Sequence, residues 1–568
     1  MSYKAPIREQ RFVLDHVAGI GALAQAPRFA AAESDMVDAI IEGIGTFAQD
    51  RFAPLYRTGD TVGARLVDGQ VRMPPGFVEA YRAYVDNGWG TISAPVDFGG
   101  QGLPVTLAAV ALESLGSANM AFSLCPTLTV GAIEALVHHG SAEQQATYLP
   151  HLSSGAWTGT MNLTEPQAGS DVGALRTTAT PTGDGRWKIK GTKIFISFGD
   201  HDMAPNIVHL VLARTPDAPP GTRGISLFLV PKYRIDADGG PGPFNDVRPV
   251  ALEHKMGIHA SPTCVLSFGD HDDCIGEMIG PLHGGMRAMF TMMNNARLNI
   301  GLQGVQAAEA STQKALAFAA ERVQSGPIIG HPDVRRMLLR ARALTQAARA
   351  ITYHAFGLLD RGSLGDEAAL ARCALLTPLV KAYATDIGTE VASLGLQVHG
   401  GMGYIEETGA AQIYRDIRIA AIYEGTNGIQ AADFVGRKLS GDGGAALDSL
   451  IADIRAEAGG EAGLMALVDS VEETARWSIA ADARDRLAGS YALLTMTAVA
   501  VSGWLMARQH RIATEQLAGA GGDDFLRAKQ VATRYYLDIL VPEAMGFAAA
   551  ARAGAAALYA LDDGALAA

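Results

Sequence analysis

The sequence predicts a mainly α-helical fold with a β-sandwich or barrel set in its middle. Three observations carry this expectation. Residues 36–158 place apolar side chains at helical spacing. From Gly159 to about Gly276 the chain changes to short β-type runs divided by turns. After Pro281 long stretches dominated by helix formers return.

Taken in order, residues 1–35 read as an N-terminal extension with one or two short helices. The segment 36–55 sets Met36, Ile40, Ile44 and Phe47 on one helical face. Ser141 and Gln144 have the spacing of a capping box before a short helix ending near Leu149. In the middle domain, 159–276, RWKIKGTKIFIS follows the turn pair Asp184-Gly185. Further runs lie at 206–215, 224–231, 248–255 and 263–269. Five or more strands in so short a span argue for a sandwich or barrel, not a nucleotide-binding parallel sheet.

Residues 277–439 read as a four-helix bundle. Its helices are expected at 286–324, from Pro332 to about Asp360, from Asp366 to Leu396 with a kink at Pro378, and from Gly425 to Leu439. The loop 440–446 marks a boundary, and 447–568 reads as an additional Ala-rich helical domain.

Composition narrows the function. The 568 residues are 48% hydrophobic and 18% charged, with a formal net charge of −13. From residue 441 onward, 17 acidic residues stand against 10 basic ones. Phosphate backbones need clustered Lys and Arg, so no nucleic-acid partner is expected. Cys125, Cys264, Cys274 and Cys373 form no C-x-x-C pair and lie near no spaced His pair, so no metal site or disulfide framework is expected. Scattered thiols fit a reducing cytoplasm. The N-terminus lacks a long apolar stretch, and no uninterrupted apolar run reaches about 18 residues, so neither a secretory signal nor a membrane span is expected.

The usual nucleotide and hydrolase motifs are missing. There is no G-x-x-x-x-G-K-[ST], no G-x-S-x-G and no H-E-x-x-H. Gly19, Gly21 and Ala24 match a loose G-x-G-x-x-[GA] spacing, but no strand precedes them, so they read as a turn linking helices.

Two segments carry chemistry. MNLTEPQAGSDV, at 161–172, gathers Thr164, Ala168, Gly169 and Ser170 around a proline turn. Small residues let backbone N–H groups approach a flat or anionic ligand, and hydroxyls orient it. Taken alone, these residues are better explained as a capped turn. IRIAAIYEGTNGIQ, at 417–430, sets Glu424 behind a mostly apolar run. A carboxylate desolvated there has its pKa raised toward the range of a general base. Gly425 permits close backbone approach, and Thr426 can cap the next helix. Taken alone, an acid complementing a helix dipole explains Glu424 equally well.

In order and spacing, TEPQAGSD at 164–171, GTKIFIS at 191–197, HGGMGYIEE at 399–407 and YEGTNGIQ at 423–430 resemble the acyl-CoA dehydrogenase family. PVDFGGQG at 95–102 fits as well, and the resemblance spans roughly 36–438. It implies that family's fold: helices, a β-domain, then a four-helix bundle. It also implies FAD as cofactor, an acyl-CoA substrate and a trans-2-enoyl-CoA product. Glu424 then takes the α-proton while the β-hydrogen leaves as hydride to the flavin. The Glu424 backbone N–H and a flavin hydroxyl hold the thioester oxygen as charge develops on it.

The resemblance further implies flavin contacts from Met161, Leu163, Thr164, Gly169 and Ser170, and from Phe195, Ile196 and Ser197 on the β-domain. Phe195 replaces a more usual tryptophan. Arg322, Gln397 and Gly401 match positions that hold the adenosine end across a subunit interface, and Thr426 also contacts FAD. The chain reads RVQSG after Glu321, where the family has R-x-T-F-G. Ser170, Asn294, Arg297 and Gly425 match the substrate channel; solvated helix-face positions are the bland reading of Asn294 and Arg297.

An electron-transfer flavoprotein as acceptor and a homodimer or higher homo-oligomer follow by the same resemblance. The long form, with EHKMGIHASPTCVLSF at 253–268 and HPDVRRMLL at 331–339, is similar to a bacterial subgroup that includes 3-methylmercaptopropionyl-CoA dehydrogenase. That thioester, or a short- or medium-chain acyl-CoA, is the expected substrate. Two other readings share the fold: an acyl-CoA oxidase passing electrons to oxygen, and a DNA-binding relative. The acidic C-terminal region argues against the second.

Overall fold

A computed structural model describes residues 3–520 and 522–568, with the side chains of 290–295 and 520 outside the description. The chain divides into two compact units, one of residues 42–296 and one of residues 6–41 with 297–568.

The predicted early helix, Ser34–Phe47, enters the first unit at Glu42 and continues through a π turn at Ala48–Phe52. A long helix, Val105–His139, is interrupted at Asn119, whose backbone leaves the helical region. The Asn119 side chain caps the break: its amide donates to Phe52 O at 3.3 Å and its oxygen accepts from Phe122 N at 3.2 Å. The Ser141 capping box is present in both directions, with bonds of 3.1 and 3.0 Å to Gln144. It starts the helix Ala142–Ser154.

The region 36–158 is not wholly helical. Arg65–Val67 and Gln70–Arg72 form a hairpin. Asp68 (φ 51°) and Gly69 (φ 75°) are both left-handed, as a two-residue turn with this strand twist requires. Asp200 fastens the hairpin by accepting from Val71 N at 2.9 Å.

The β-domain is an eight-stranded sheet. Trp187–Ser197, Ile275–Ile279, Ile225–Pro231, Ile207–Arg214 and Thr178–Pro181 pair in a closed ring. Thr263–Phe268 and Val247–Leu252 extend it beside Trp187–Ser197, and Thr158–Asn162 lies parallel to Ile207–Arg214. The run IVHLVLAR is buried along all but its last residue because both its faces are covered. Val208, Leu210 and Leu212 pack toward Leu136, Tyr148 and Trp157, while Val211 and Ala213 face a second core with Phe228 and Leu266.

In the second unit, Arg297 onward continues the helix Gly285–Glu321, followed by Pro332–Ser363 and Glu367–His399. The last carries Pro378, the expected kink position, inside one uninterrupted helix. The fourth bundle segment is Asn427–Asp433 running into a π turn, Phe434–Leu439. The helices Ala445–Ala458, Ala462–Ala480, Ser490–Ala520 and Asp524–Tyr535 pack into this same unit. Gly19 (φ 77°) forms the expected turn between short N-terminal helices.

Among the described residues, two helices, Val105–His139 and Ser490–Gly519, are long and apolar enough to cross a membrane, although neither holds an uninterrupted apolar run of about 18 residues. Most of each is buried within the protein. No cluster of metal-binding side chains occurs among the described residues.

Candidate active site

The expected site residues fall on both units. On the first, they gather where Thr158–Asn162 ends. Ile194 N donates to Thr164 O at 2.9 Å, and Lys193 Nζ donates to Leu163 O at 3.0 Å. These bonds set the strand bearing Phe195, Ile196 and Ser197 against the segment bearing Met161, Leu163 and Thr164.

Glu165 organises that segment. Its carboxylate accepts from Arg176 N (2.6 Å), Thr177 N (3.0 Å), Thr177 Oγ1 (2.5 Å), Gln167 Nε2 (2.7 Å) and Lys193 Nζ (2.8 Å). Glu165 and Ala168 exchange backbone hydrogen bonds around Pro166-Gln167. Burial pushes the Glu165 carboxyl up, but the Lys193 ammonium and these donors outweigh it and hold it at about 2. Burial pulls Lys193 down to about 8 against the attraction of Glu165. Neither residue stands out in the sequence, because the partners are separated by 28 positions.

Gly169 and Ser170 emerge from this turn exposed, and Met161, Leu163, Thr164 and Ser197 are half-buried. Phe195 sits at a β-bulge, where the register against Thr263–Phe268 shifts. Its backbone is left-handed (φ 62°) and its side chain is 58% exposed. A bulge re-aims a side chain at a cost in backbone strain, which points to function at such a position. Ile196 corrects the expectation of side-chain contact: it is 2% exposed and packs in the β-core, so only its backbone can face a cofactor. An exposed aromatic face beside exposed hydroxyls and backbone fits a flat, polar-edged ring system such as a flavin.

On the second unit, Glu424 lies between the turn Arg418–Ala421 and the helix Asn427–Asp433. Glu424 (φ 54°) and Gly425 (φ 83°) are both left-handed, so the chain reverses sharply at the carboxylate. Gln430 Nε2 donates to the carbonyls of both, at 3.3 Å each. A Cβ on Gly425 would stand 2.8 Å from that nitrogen. Thr426 caps the helix as expected, accepting from Ile429 N at 3.2 Å. Tyr423 donates its hydroxyl proton to Gln303. Among the described residues, the Glu424 N–H has no hydrogen-bond partner.

Burial raises the pKa of the Glu424 carboxyl, and the positive charges of Arg297 and Lys381 oppose the rise. Arg297 is not a solvated helix-face residue. It is buried, with Nη1 3.5 Å from the Asp433 carboxylate. Asn294 falls among the side chains outside the described residues.

Arg322, Gln397 and Gly401 are exposed and gather at another end of the bundle. The rings of Phe318, one turn before Arg322, and His399, beside Gln397, stack there at 4.4 Å. From Gln303, beside Tyr423, to Glu321 the helix runs about 27 Å. The structure thus groups Arg322, Gln397 and Gly401 apart from Glu424, Gly425, Thr426 and Arg297.

Four family profiles match the chain: the acyl-CoA dehydrogenase N-terminal domain at 34–156, middle domain at 160–271 and C-terminal domain at 283–439, and an acetyl-CoA dehydrogenase C-terminal-like domain at 448–562. A 3-methylmercaptopropionyl-CoA dehydrogenase of Ruegeria pomeroyi is 45% identical over 93% of this chain and 94% of its own length. A butyryl-CoA dehydrogenase of Syntrophomonas wolfei is 36% identical over 90% of each. The solved structure of a Bacillus anthracis acyl-CoA dehydrogenase complexed with FAD shares the fold, with a TM-score of 0.76 over 94% of this chain and 90% of that one at 21% identity. With its helical and β-domains in that family's order, the chain belongs to the acyl-CoA dehydrogenase family, FAD-dependent oxidoreductases that act on acyl-CoA thioesters.

Proposed function

We propose that this enzyme dehydrogenates the Cα–Cβ bond of a short acyl-CoA thioester, with Glu424 as base and 3-methylmercaptopropionyl-CoA as its substrate. One observation carries the assignment of the base: Glu424 is a half-buried carboxyl with a raised pKa on a strained left-handed turn, with its own N–H free of partners among the described residues. Desolvation raises proton affinity, which a base facing a weak carbon acid needs. The free N–H suits the thioester oxygen, which gains negative charge as the α-proton moves to the Glu424 carboxylate. FAD, when bound, would supply the acceptor for the β-hydrogen, which leaves as hydride. Met161, Leu163, Thr164, Gly169, Ser170, Phe195 and Ser197 hold its ring end, with the Ile196 backbone. Gly425 and Ser170 border the thioester.

The sulfur-containing substrate is supported by the Ruegeria relative, which matches nearly end to end. Arg322, Gln397 and Gly401 stand about 27 Å along the bundle from the Glu424 turn. That separation supports a homodimer in which these residues serve the flavin of the partner. Electrons pass on to an electron-transfer flavoprotein, as in the family generally, and the scattered thiols favour the cytoplasm as location.

The test is a panel of CoA thioesters assayed anaerobically with a dye acceptor. The expected result is highest kcat/KM for 3-methylmercaptopropionyl-CoA, with butyryl-CoA next. Faster turnover of long chains overturns the substrate assignment. Rapid reoxidation of the flavin by air, with peroxide release, makes the enzyme an oxidase.

A further inference from the structure

Tyr423, the residue before Glu424, is half-buried, and its hydroxyl donates to Gln303 Oε1. Gln303 belongs to the helix Gly285–Glu321 and is 1% exposed. Close helix packing fixes the backbone on either side of it. A Cβ on Gly301 would stand 2.5 Å from Val380 Cγ1, and one on Gly304 would stand 2.0 Å from Ala384 O, so the helix Glu367–His399 lies directly against that face. With the Gln303 oxygen engaged by Tyr423, the end of the carboxamide left over is its NH2. That nitrogen, Nε2, is buried and has no partner among the described residues. A buried amide donor left without an acceptor is costly, so its presence one side chain away from the Glu424 turn calls for an acceptor from outside the chain.

Resting on the reading of Glu424 as base and of a sulfur-containing acyl chain as substrate, we propose that Gln303 is a specificity-determining residue. Its Nε2–H donates to the thioether sulfur of the acyl group, and Tyr423 sets the orientation of the amide.

The chemistry of the acyl group singles out the sulfur. The thioester oxygen is taken by the Glu424 N–H. In 3-methylmercaptopropionyl-CoA the one remaining acceptor on the acyl chain is the sulfur, two bonds beyond the α-carbon that faces Glu424. Tyr423 is the neighbour of that base in sequence, and Gln303 is bonded to Tyr423. A thioether sulfur is a weak acceptor, and it also packs well at the edge of an aromatic ring such as that of Tyr423. A methylene in the same place offers neither contact. Nε2 is already withdrawn from water, so the sulfur gains its hydrogen bond without a desolvation cost to the amide. The site thereby selects for sulfur at a given chain length, and not for chain length alone.

The measurement compares 3-methylmercaptopropionyl-CoA with pentanoyl-CoA, in which a methylene stands in place of the sulfur, on the FAD-loaded full chain. The ratio of the two kcat/KM values is read in the parent, in Gln303→Leu and in Tyr423→Phe. The parent is expected to favour the sulfur chain. Gln303→Leu lowers the ratio about fivefold, the worth of one weak hydrogen bond. Tyr423→Phe lowers it by less, because the amide keeps its donor and loses only its orientation. Intrinsic differences in reactivity between the two thioesters cancel when the ratios are compared. Binding supplies a second readout: in a Glu424→Gln background, flavin absorbance titration gives the same change in the ratio of Kd values. Tyr423→Phe removes a single oxygen from a half-buried ring, which keeps the test alive if Gln303→Leu fails to fold. A ratio unmoved in the folded, flavin-bound variants, with both thioesters slowed alike, overturns the role of Gln303 and leaves the substrate assignment standing. A parent that handles the two thioesters equally well overturns the sulfur-containing substrate, and the role of Gln303 with it.

Discussion

Gln430 holds Glu424 from behind, its side-chain amide shared between the carbonyls of Glu424 and Gly425 at 3.3 Å each. The amide is buried, and it secures a turn in which two successive residues have positive φ. Gln430→Met keeps the volume and removes the donor. Two such bonds contribute about 1–2 kcal/mol to the turn. The expected outcome is a kcat about tenfold lower with near-normal flavin content, checked by steady-state kinetics and flavin absorbance.

Replacing the proposed base itself is expected to have a larger effect. Glu424→Gln removes the proton acceptor while keeping the shape, so turnover falls about a thousandfold with FAD still bound. In the parent enzyme the carboxyl has a raised pKa. It must be ionised to accept a proton, so kcat/KM falls as pH drops, and the fall begins above the range of an ordinary glutamate. A flat profile across mildly acidic pH contradicts this.

Glu165 and Lys193 form a buried ion pair beneath Leu163 and Thr164, the segment proposed to hold the flavin. Glu165→Gln leaves the Lys193 ammonium without its counter-charge, and the expected cost is about 3–5 kcal/mol in denaturant unfolding. Flavin retention falls with it, because Leu163 and Thr164 lose their anchor. The double variant Glu165→Gln/Lys193→Met recovers part of the loss, since no lone buried charge remains. Equal damage in the double variant counts against the pair.

Phe195 gives the opposite pattern. Most of its side chain is exposed, so Phe195→Ala changes apoprotein stability by under about 1 kcal/mol. Loss of an aromatic face is expected to weaken FAD binding about tenfold, read by flavin fluorescence titration. Unchanged affinity removes Phe195 from the flavin site.

The long helices were legible because apolar spacing and a capping box such as Ser141 with Gln144 are local. The Glu424 turn was legible through a short contiguous string. The hairpin at 65–72 went unread although Asp68-Gly69 supplies a turn signal, because its three-residue strands lie in a helical region. The fate of Ile196 and Arg297 was hidden for another reason. A β-bulge decides which face each residue of the strand takes, and burial of Arg297 depends on Asp433, 136 positions away. Tyr491 meets Asp386 across 105 positions, a pairing that no local pattern announces.

The N-terminal helix Ile7–Val13 is held by residues at the far end of the chain. Glu9 meets Lys529 across 520 positions, and Phe12 sets its ring against that of Phe525. These two contacts of the helix therefore form only after the segment around Lys529 has been synthesised. Without that segment, Glu9 keeps only Arg349, at 3.8 Å, as a cationic partner among the described residues, and Phe12 loses the Phe525 ring beside it.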